Sequence, residues 1–200
     1  MVLAASGAIR SADAAASALV PPPSRAPVAP MDAATKELLM EALNAAKLAG
    51  ASYADARVAR YRDNQVFTRE QQIINVVDQD SMGCGVRALV DGTWGFAATR
   101  TLTKAGVAAA AKEAAAIAKA NRVARDKAVQ LAPAQSNPDA SWQTPHTVDP
   151  FTVAVEDKAS LLLKANAEAL KVAGVKFVFS GLFFRKQERN YANSDGSVIN

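Results

Sequence analysis

Gly83-Cys84-Gly85-Val86-Arg87-Ala88-Leu89-Val90-Asp91-Gly92-Thr93-Trp94-Gly95-Phe96-Ala97-Ala98 is the stretch on which the fold turns. Asp-Gly between two apolar runs marks a tight hairpin turn, because primed turns need positive φ and these residues tolerate it. The run predicts two antiparallel strands, 86–90 and 94–99, joined at Asp91-Gly92. Gly83, Gly85 and Gly95 lack a Cβ, so another backbone or a ligand can come close there. Arg87 is the odd member of an apolar strand, and a guanidinium in such surroundings requires a carboxylate, carbonyls or water. Two partners meet that need. An acidic residue of the same domain makes Arg87 structural, and this is the expected partner, since structural ion pairs imitate functional sites. A peptide carboxylate or carbonyl makes Arg87 a substrate-binding residue, with Gly83 and Gly85 allowing close approach. A dinucleotide fingerprint is excluded: position 88 is Ala rather than a third glycine, and the chain continues as strand rather than helix.

Composition narrows the function classes. Half of the 200 residues are apolar and 21% are charged, an ordinary globular balance. The net charge of +4 is spread among Asp and Glu with no long run of like charges. A nucleic-acid footprint would be a clustered basic face with stacking aromatics, and the sequence shows no such cluster. No stretch is long enough to span a bilayer. Cys84 is the single cysteine, so no intrachain disulfide forms, and its expected role is that of a small buried hydrophobe. His146 is the single histidine, in a Pro-rich stretch. A zinc site needs three or four ligands, so no residue is assigned as a metal ligand. H-E-x-x-H, Walker A and G-x-S-x-G motifs are all missing, and no catalytic residue is assigned.

The chain divides into four parts. Residues 1–30 read as a disordered leader or a remnant export signal followed by a Pro-rich linker. Residues 31–125 read as an α/β domain. Its first helix has Asp32 as N-cap, Leu39, Leu43 and Ala46 at helical spacing, and Gly50 as the stop. Strands are expected at 53–61, with Ala54, Ala56 and Val58 on one face, then at 65–69 and 72–78. Turns are expected at Arg62-Asp63-Asn64 and Glu70-Gln71, and the hairpin follows. Together these predict an antiparallel meander of about five strands. A second helix, 103–122, is capped by Thr103 and carries the stripe Val107, Ala110, Ala114, Ile117 for packing on the sheet. Residues 126–150 form a Pro-rich arm, with Trp142 expected as an anchor pinning it to the body.

Residues 151–200 read as the start of a second domain. A helix at 155–172 carries Leu162, Ala165, Ala169 and Val172 on one face and ends at Ala173-Gly174. Strands follow at 175–184, 190–194 and 197–200, with turns at 185–188 and Asp195-Gly196. The order helix, Ala-Gly, strand, polar turn, strand thus occurs twice, which hints at an internal duplication. The fold class is α+β: an antiparallel meander with packed helices. The last strand emerges from its turn without a partner, and an unpaired edge of this kind carries the expectation that the natural polypeptide continues.

The segment from Gly50 to Asn121 resembles the first domain of the TldD/PmbA family, zinc metallopeptidase-related proteins once named modulators of DNA gyrase. The matching pieces are Gly50-Ala51-Ser52-Tyr53-Ala54-Asp55-Ala56-Arg57, Gly83-x-Gly85-Val86-Arg87, Asp91-Gly92-x-Trp94-Gly95-Phe96-Ala97 and Ile117-Ala118-Lys119-Ala120-Asn121. Tyr191-Ala192-Asn193-Ser194-Asp195-Gly196 resembles the family's stretch just before its catalytic half. Cys84 stands where the family usually has a small aliphatic residue. The resemblance implies the N-terminal part of a zinc peptidase, enclosing a chamber that admits unfolded peptides. The metal motif, H-E-x-x-x-H or a variant, would lie beyond residue 200. Zinc is thus implied for the complete protein and not for this segment. The resemblance also implies a homodimer or a heterodimer with a related subunit, and a cytoplasmic location, or a periplasmic one if residues 1–30 are an export signal. A non-catalytic partner subunit and a free-standing α/β binding module are the alternative functions.

Overall fold

The computed structural model describes residues 29–200, so the leader expected over 1–30 lies outside the described residues except for its last two. Helix α1 (Ala33–Leu48) starts where the Asp32 carboxylate accepts the Thr35 N–H at 2.8 Å. It stops at Gly50, whose φ of 95° lets Ala51 N–H reach the Ala46 carbonyl at 3.0 Å. Strand β1 (Tyr53–Arg69) follows, then β2 (Gln72–Val90) and β3 (Thr93–Thr99). Helix α2 (Lys104–Ala120) is capped by Thr103 and runs into a short 3-10 turn at Asn121–Ala124. Helix α3 (Val155–Leu170), β4 (Phe179–Asn193) and β5 (Val198–Ile199) complete the described chain. The fold is α+β, with one antiparallel sheet in the order β3-β2-β1-β4-β5.

The five-strand meander expected over residues 53–99 is three strands, and the sheet reaches five by adding two from residues 179–199. Turns expected at 62–64 and 185–188 are continuous strand, so β1 and β4 are long single strands. The charged runs taken for turns are cross-strand ion pairs. Arg60 meets Asp80, Arg62 meets Asp78, and Arg185 meets Asp63. Polar side chains satisfied across a ladder need no loop. The strands expected at 72–78 and 86–90 likewise belong to one strand, and the strand expected from 175 begins at Phe179. The turns at Glu70-Gln71, Asp91-Gly92 and Asp195-Gly196 are present, with Glu70, Asp91, Gly92 and Gly196 at positive φ.

Segment 151–200 supplies strands to the same sheet as β1, because β4 pairs with β1 from Asp55 to Arg69. Both repeats of the expected unit run helix, left-handed glycine, long strand: Gly50 has φ 95° and Gly174 has φ 94°. The polar turn assigned to each unit is what the structure removes.

Side chains alternate across a strand, and the registers assign them to two faces. Ala54, Ala56 and Val58 of β1 share a face with Cys84, Val86 and Ala88 of β2 and with Ala97 of β3. All are buried under α1 and α2. α3 covers the far end of the same face, where Val66 packs with Ala159 and Leu162. Beneath α3 the sheet surface is polar. Lys158 Nζ donates to Asn64 Oδ1 at 2.7 Å, and Asn166 Nδ2 donates to Thr68 Oγ1 at 3.0 Å and to the Glu70 carbonyl at 2.9 Å. The helix therefore buries Lys158, Ala159, Leu162 and Asn166, whereas Ala165 and Val172 of the expected stripe are exposed.

Gly95 sets the depth of α2. A Cβ there would lie 2.0 Å from the Ala114 carbonyl oxygen and 2.4 Å from the Ala118 nitrogen. This approach centres the buried stripe on Ala111, Ala114, Ala115 and Ala118, and it leaves Ile117 at the exposed margin. Thr93 fastens the contact by donating to the Ala118 carbonyl at 2.7 Å. Gly95→Ala must push α2 off the sheet, with an expected loss of about 2–3 kcal/mol. A lowered urea midpoint for this domain is the readout, and an unchanged midpoint would contradict the close approach.

Candidate functional site

The opposite face of the sheet carries no helix among the described residues. It presents Tyr53, Asp55, Arg57, Tyr61 and Asp63 from β1, Arg87 and the glycines from β2, Trp94 and Phe96 from β3, and Arg185, Arg189 and Tyr191 from β4. Aromatic rings and guanidiniums alternate across it. Arg87 lies over Trp94 at 5.1 Å, Arg57 over Tyr191 at 5.4 Å and Arg185 over Tyr61 at 5.7 Å. Trp94 also takes the edge of Tyr53, with ring centroids 5.8 Å apart. Phe96 remains 58% exposed.

Two carboxylates are sunk into this face. Asp55 is 1% exposed and lies directly across from Arg87. Arg87 Nε donates to its two oxygens at 3.1 and 2.9 Å, and Nη2 donates to Oδ2 at 2.6 Å. Arg57 reaches the same carboxylate at 3.5 Å. Asp63 accepts from Arg185 Nε at 2.6 Å and Nη2 at 2.9 Å, and from Gln79 at 3.3 Å. The hydrogen bonds from Arg185 hold the Asp63 carboxyl below the usual carboxylate range. Burial, followed by the hydrogen bond with Tyr53, pushes the Tyr191 hydroxyl well above the ordinary phenol range.

One edge of the sheet is open beside this face. β3 pairs only with residues 84–90 of β2, so residues 72–83 have no strand on that side among the described residues. The outer edge of β5, expected to be bare, is instead covered by the arm. Val198 N–H donates to the Asn137 carbonyl at 2.8 Å, and Ala140 bridges Ile199. Trp142 joins this pairing through its backbone, donating to the Asn200 carbonyl at 2.9 Å, but its side chain is 71% exposed. The expected indole anchor is therefore a backbone anchor.

Residues 54–118 match the family profile described as PmbA/TldA metallopeptidase domain 1. Across that segment, about a third of the chain, the protein is similar to the first domain of this family, where the TldD/PmbA resemblance was expected. Its fold is that of three solved structures, each similar at low identity. A modulator of DNA gyrase from Bacteroides thetaiotaomicron has a TM-score of 0.62 and 18% identity, over 84% of this chain and 38% of that one. TldE from Thermococcus kodakarensis has a TM-score of 0.62 and 18% identity, over 84% and 36%. A modulator of a DNA gyrase from Thermotoga maritima has a TM-score of 0.63 and 16% identity, over 82% and 36%. The chain thus spans well under half the length of these structures. No curated protein matches it.

The sequence-predicted residues Gly83, Gly85 and Arg87 share the helix-free face. Arg87 has the same-domain carboxylate that its surroundings require. The space a Cβ would fill at Gly85 is bounded by the Phe96 ring at 3.1 Å, and at Gly83 by the Thr99 carbonyl oxygen at 3.1 Å. Cys84 points to the helical side and is buried, and burial pushes its thiol up to about 11. His146 is exposed and contacts only the Thr144 carbonyl among the described residues. Among those residues no group of three or more His, Cys, Asp or Glu side chains is placed to hold a metal ion. No helix among them is long and apolar enough to cross a membrane. Sequence reasoning missed Asp63, Arg185 and Arg189, because it placed turns over the first two and beside the third. A charged run without Gly or Pro was the available signal for strand.

Arg87→Met strands the Asp55 carboxylate with only the longer contact to Arg57. The expected cost is about 2 kcal/mol, discounted because the guanidinium is partly solvated. Adding Asp55→Asn should recover much of it, and a double-mutant cycle by chemical denaturation measures the coupling. A carboxylate with a lowered folded pKa stabilises above its unfolded value of about 3.9 and loses that contribution as pH falls through the folded value. The Asp63 contribution should therefore disappear under acid, and Arg185→Gln should flatten the decline in melting temperature between about pH 5 and about pH 2.

Proposed function

We propose that this chain is the N-terminal part of a TldD/PmbA-type zinc metallopeptidase acting on unfolded peptides, and that it forms a wall of the peptide-enclosing chamber and contacts between subunits. The observation that carries the reading is the helix-free sheet face beside the open β2 edge, set in a TldD/PmbA first domain. An extended peptide binds a sheet edge through main-chain hydrogen bonds, and side-chain pockets then give selectivity. Residues 72–83 offer such an edge. Trp94 and Phe96 lie on the adjacent strand.

The chain's own residues do not fit a zinc centre. Catalytic zinc takes three protein ligands and keeps one open position. The single histidine is in an exposed loop, and the single cysteine is buried with a raised thiol pKa. The metal and its general base are therefore proposed to lie outside these 200 residues, in the same polypeptide or in a related partner subunit. The second placement makes this chain a non-catalytic subunit, paired with a metal-bearing relative. A cytoplasmic location is the default of this reading.

The intact protein, purified with any natural partner, should cleave an unfolded peptide in a chelator-sensitive way. Phe96→Ala should raise KM about three- to tenfold with little change in kcat, since it removes ground-state contact area. Residues 1–200 alone should bind no stoichiometric zinc and hydrolyse no peptide. Chelator-sensitive cleavage by residues 1–200 alone would overturn the proposed placement of the metal.

A further inference from the structure

We propose that the helix-free face selects extended peptide segments rich in Asp and Glu. This rests on the peptide-binding role above and adds the chemistry of the peptide. The two faces of the sheet sort their charges differently. On the helical side each strand arginine meets a carboxylate at the surface: Arg60 and Asp80 at 2.5 Å, Arg62 and Asp78 at 2.9 Å. On the helix-free side Arg57, Arg87, Arg185 and Arg189 face two carboxylates, Asp55 and Asp63. Both carboxylates are buried, whereas the side chains of Arg57, Arg87 and Arg185 remain 42–51% exposed. Asp55 is divided between Arg57 and Arg87, and Arg189 forms no ion pair among the described residues. The acids lie underneath and the guanidiniums on top, so the charge offered to a partner is positive.

The spacing suits an extended chain. By register, Arg87, Arg57, Arg189 and Arg185 stand at the levels of β1 positions 55, 57, 59 and 63. Two strand residues span about 7 Å, which is also the repeat of same-side side chains in an extended peptide. Alternate carboxylates of a bound segment can therefore match the levels of Arg87, Arg57 and Arg189, with Arg185 two repeats further along. A single-stranded nucleic acid would need free aromatic faces for base stacking. Here Trp94, Tyr191, Tyr61 and Phe183 already carry guanidiniums over their rings, and the exposed Phe96 lies on β3, separated by β2 and β1 from Arg185 and Arg189 of β4. The open backbone of β2 residues 72–83 adds an edge that a peptide can pair with and a nucleic acid cannot.

The test compares two fluorescent, unstructured peptides on the intact protein, one alternating Glu with Ser and the other alternating Gln with Ser. Fluorescence anisotropy should show the Glu peptide binding at least about tenfold tighter at low salt, with the preference shrinking as ionic strength rises. Arg57→Gln combined with Arg189→Gln leaves the Arg87–Asp55 and Arg185–Asp63 pairs in place. It should remove most of the preference and change Gln-peptide affinity less than about twofold. Equal binding of the two peptides to the unsubstituted protein, or a preference untouched by the double substitution, would overturn the acidic selectivity and leave the peptide-binding role standing. Failure of both peptides to bind would overturn that role as well. Tighter binding of a poly-dT oligonucleotide, lost with the same two arginines, would overturn the proposal in favour of nucleic acid.

Discussion

β1 is paired along its length with β2 and, from Asp55 onward, with β4 on its other side. A strand hydrogen-bonded on both edges leaves its side chains only two directions, up and down in strict alternation. That constraint propagates outward. Residues opposite one another share a face, so the alternation of β1 is imposed on β2, β3 and β4 through the registers. A one-residue slip would exchange the apolar and the arginine-bearing faces. The small residues Ala54 and Ala56 would then meet solvent, and Asp55 would face α1 and α2.

The helical face is unusually rich in alanine, and this determines how it packs. Ala42, Ala45 and Ala46 of α1 and Ala110, Ala111, Ala114, Ala115 and Ala118 of α2 are buried. Each contributes little apolar area, so close approach has to supply contacts that large side chains would otherwise provide. Gly95 permits that approach, and the Thr93 hydroxyl satisfies the Ala118 carbonyl. The other face works on a different principle. Its buried carboxylates are tolerated because guanidiniums meet them. The same guanidiniums remain partly solvated and lie against aromatic rings. Polar chemistry is thereby concentrated on the side that no helix covers.

Much of this was legible one residue at a time. The caps at Asp32 and Thr103, the stop at Gly50 and the turns at Asp91-Gly92 and Asp195-Gly196 follow from local backbone and side-chain geometry. The misplacements share one cause. Arg62-Asp63-Asn64 and 185–188 look like turns because they are polar, but their partners are distant in sequence and adjacent only across the ladder. The buried stripe of α3 was misjudged in the same way, since Lys158 and Asn166 are buried only because Asn64 and Thr68 await them. Arg87 shows the limit at the candidate site. Its need for a carboxylate was readable, whereas the identity of that carboxylate depended on register.

By itself the sequence determined the α+β class, the hairpin at Asp91-Gly92, the helix ends and the family resemblance, because each depends on residues close together in the chain. Tertiary structure alone decided that β4 joins β1, that the arm covers β5, and that Arg57, Arg87, Arg185 and Arg189 gather on one helix-free face. Those outcomes depend on pairing between segments far apart in the chain, such as Asp55 with Asn193 and Ala140 with Ile199. Local propensity carries no information about which of several compatible strands will lie alongside.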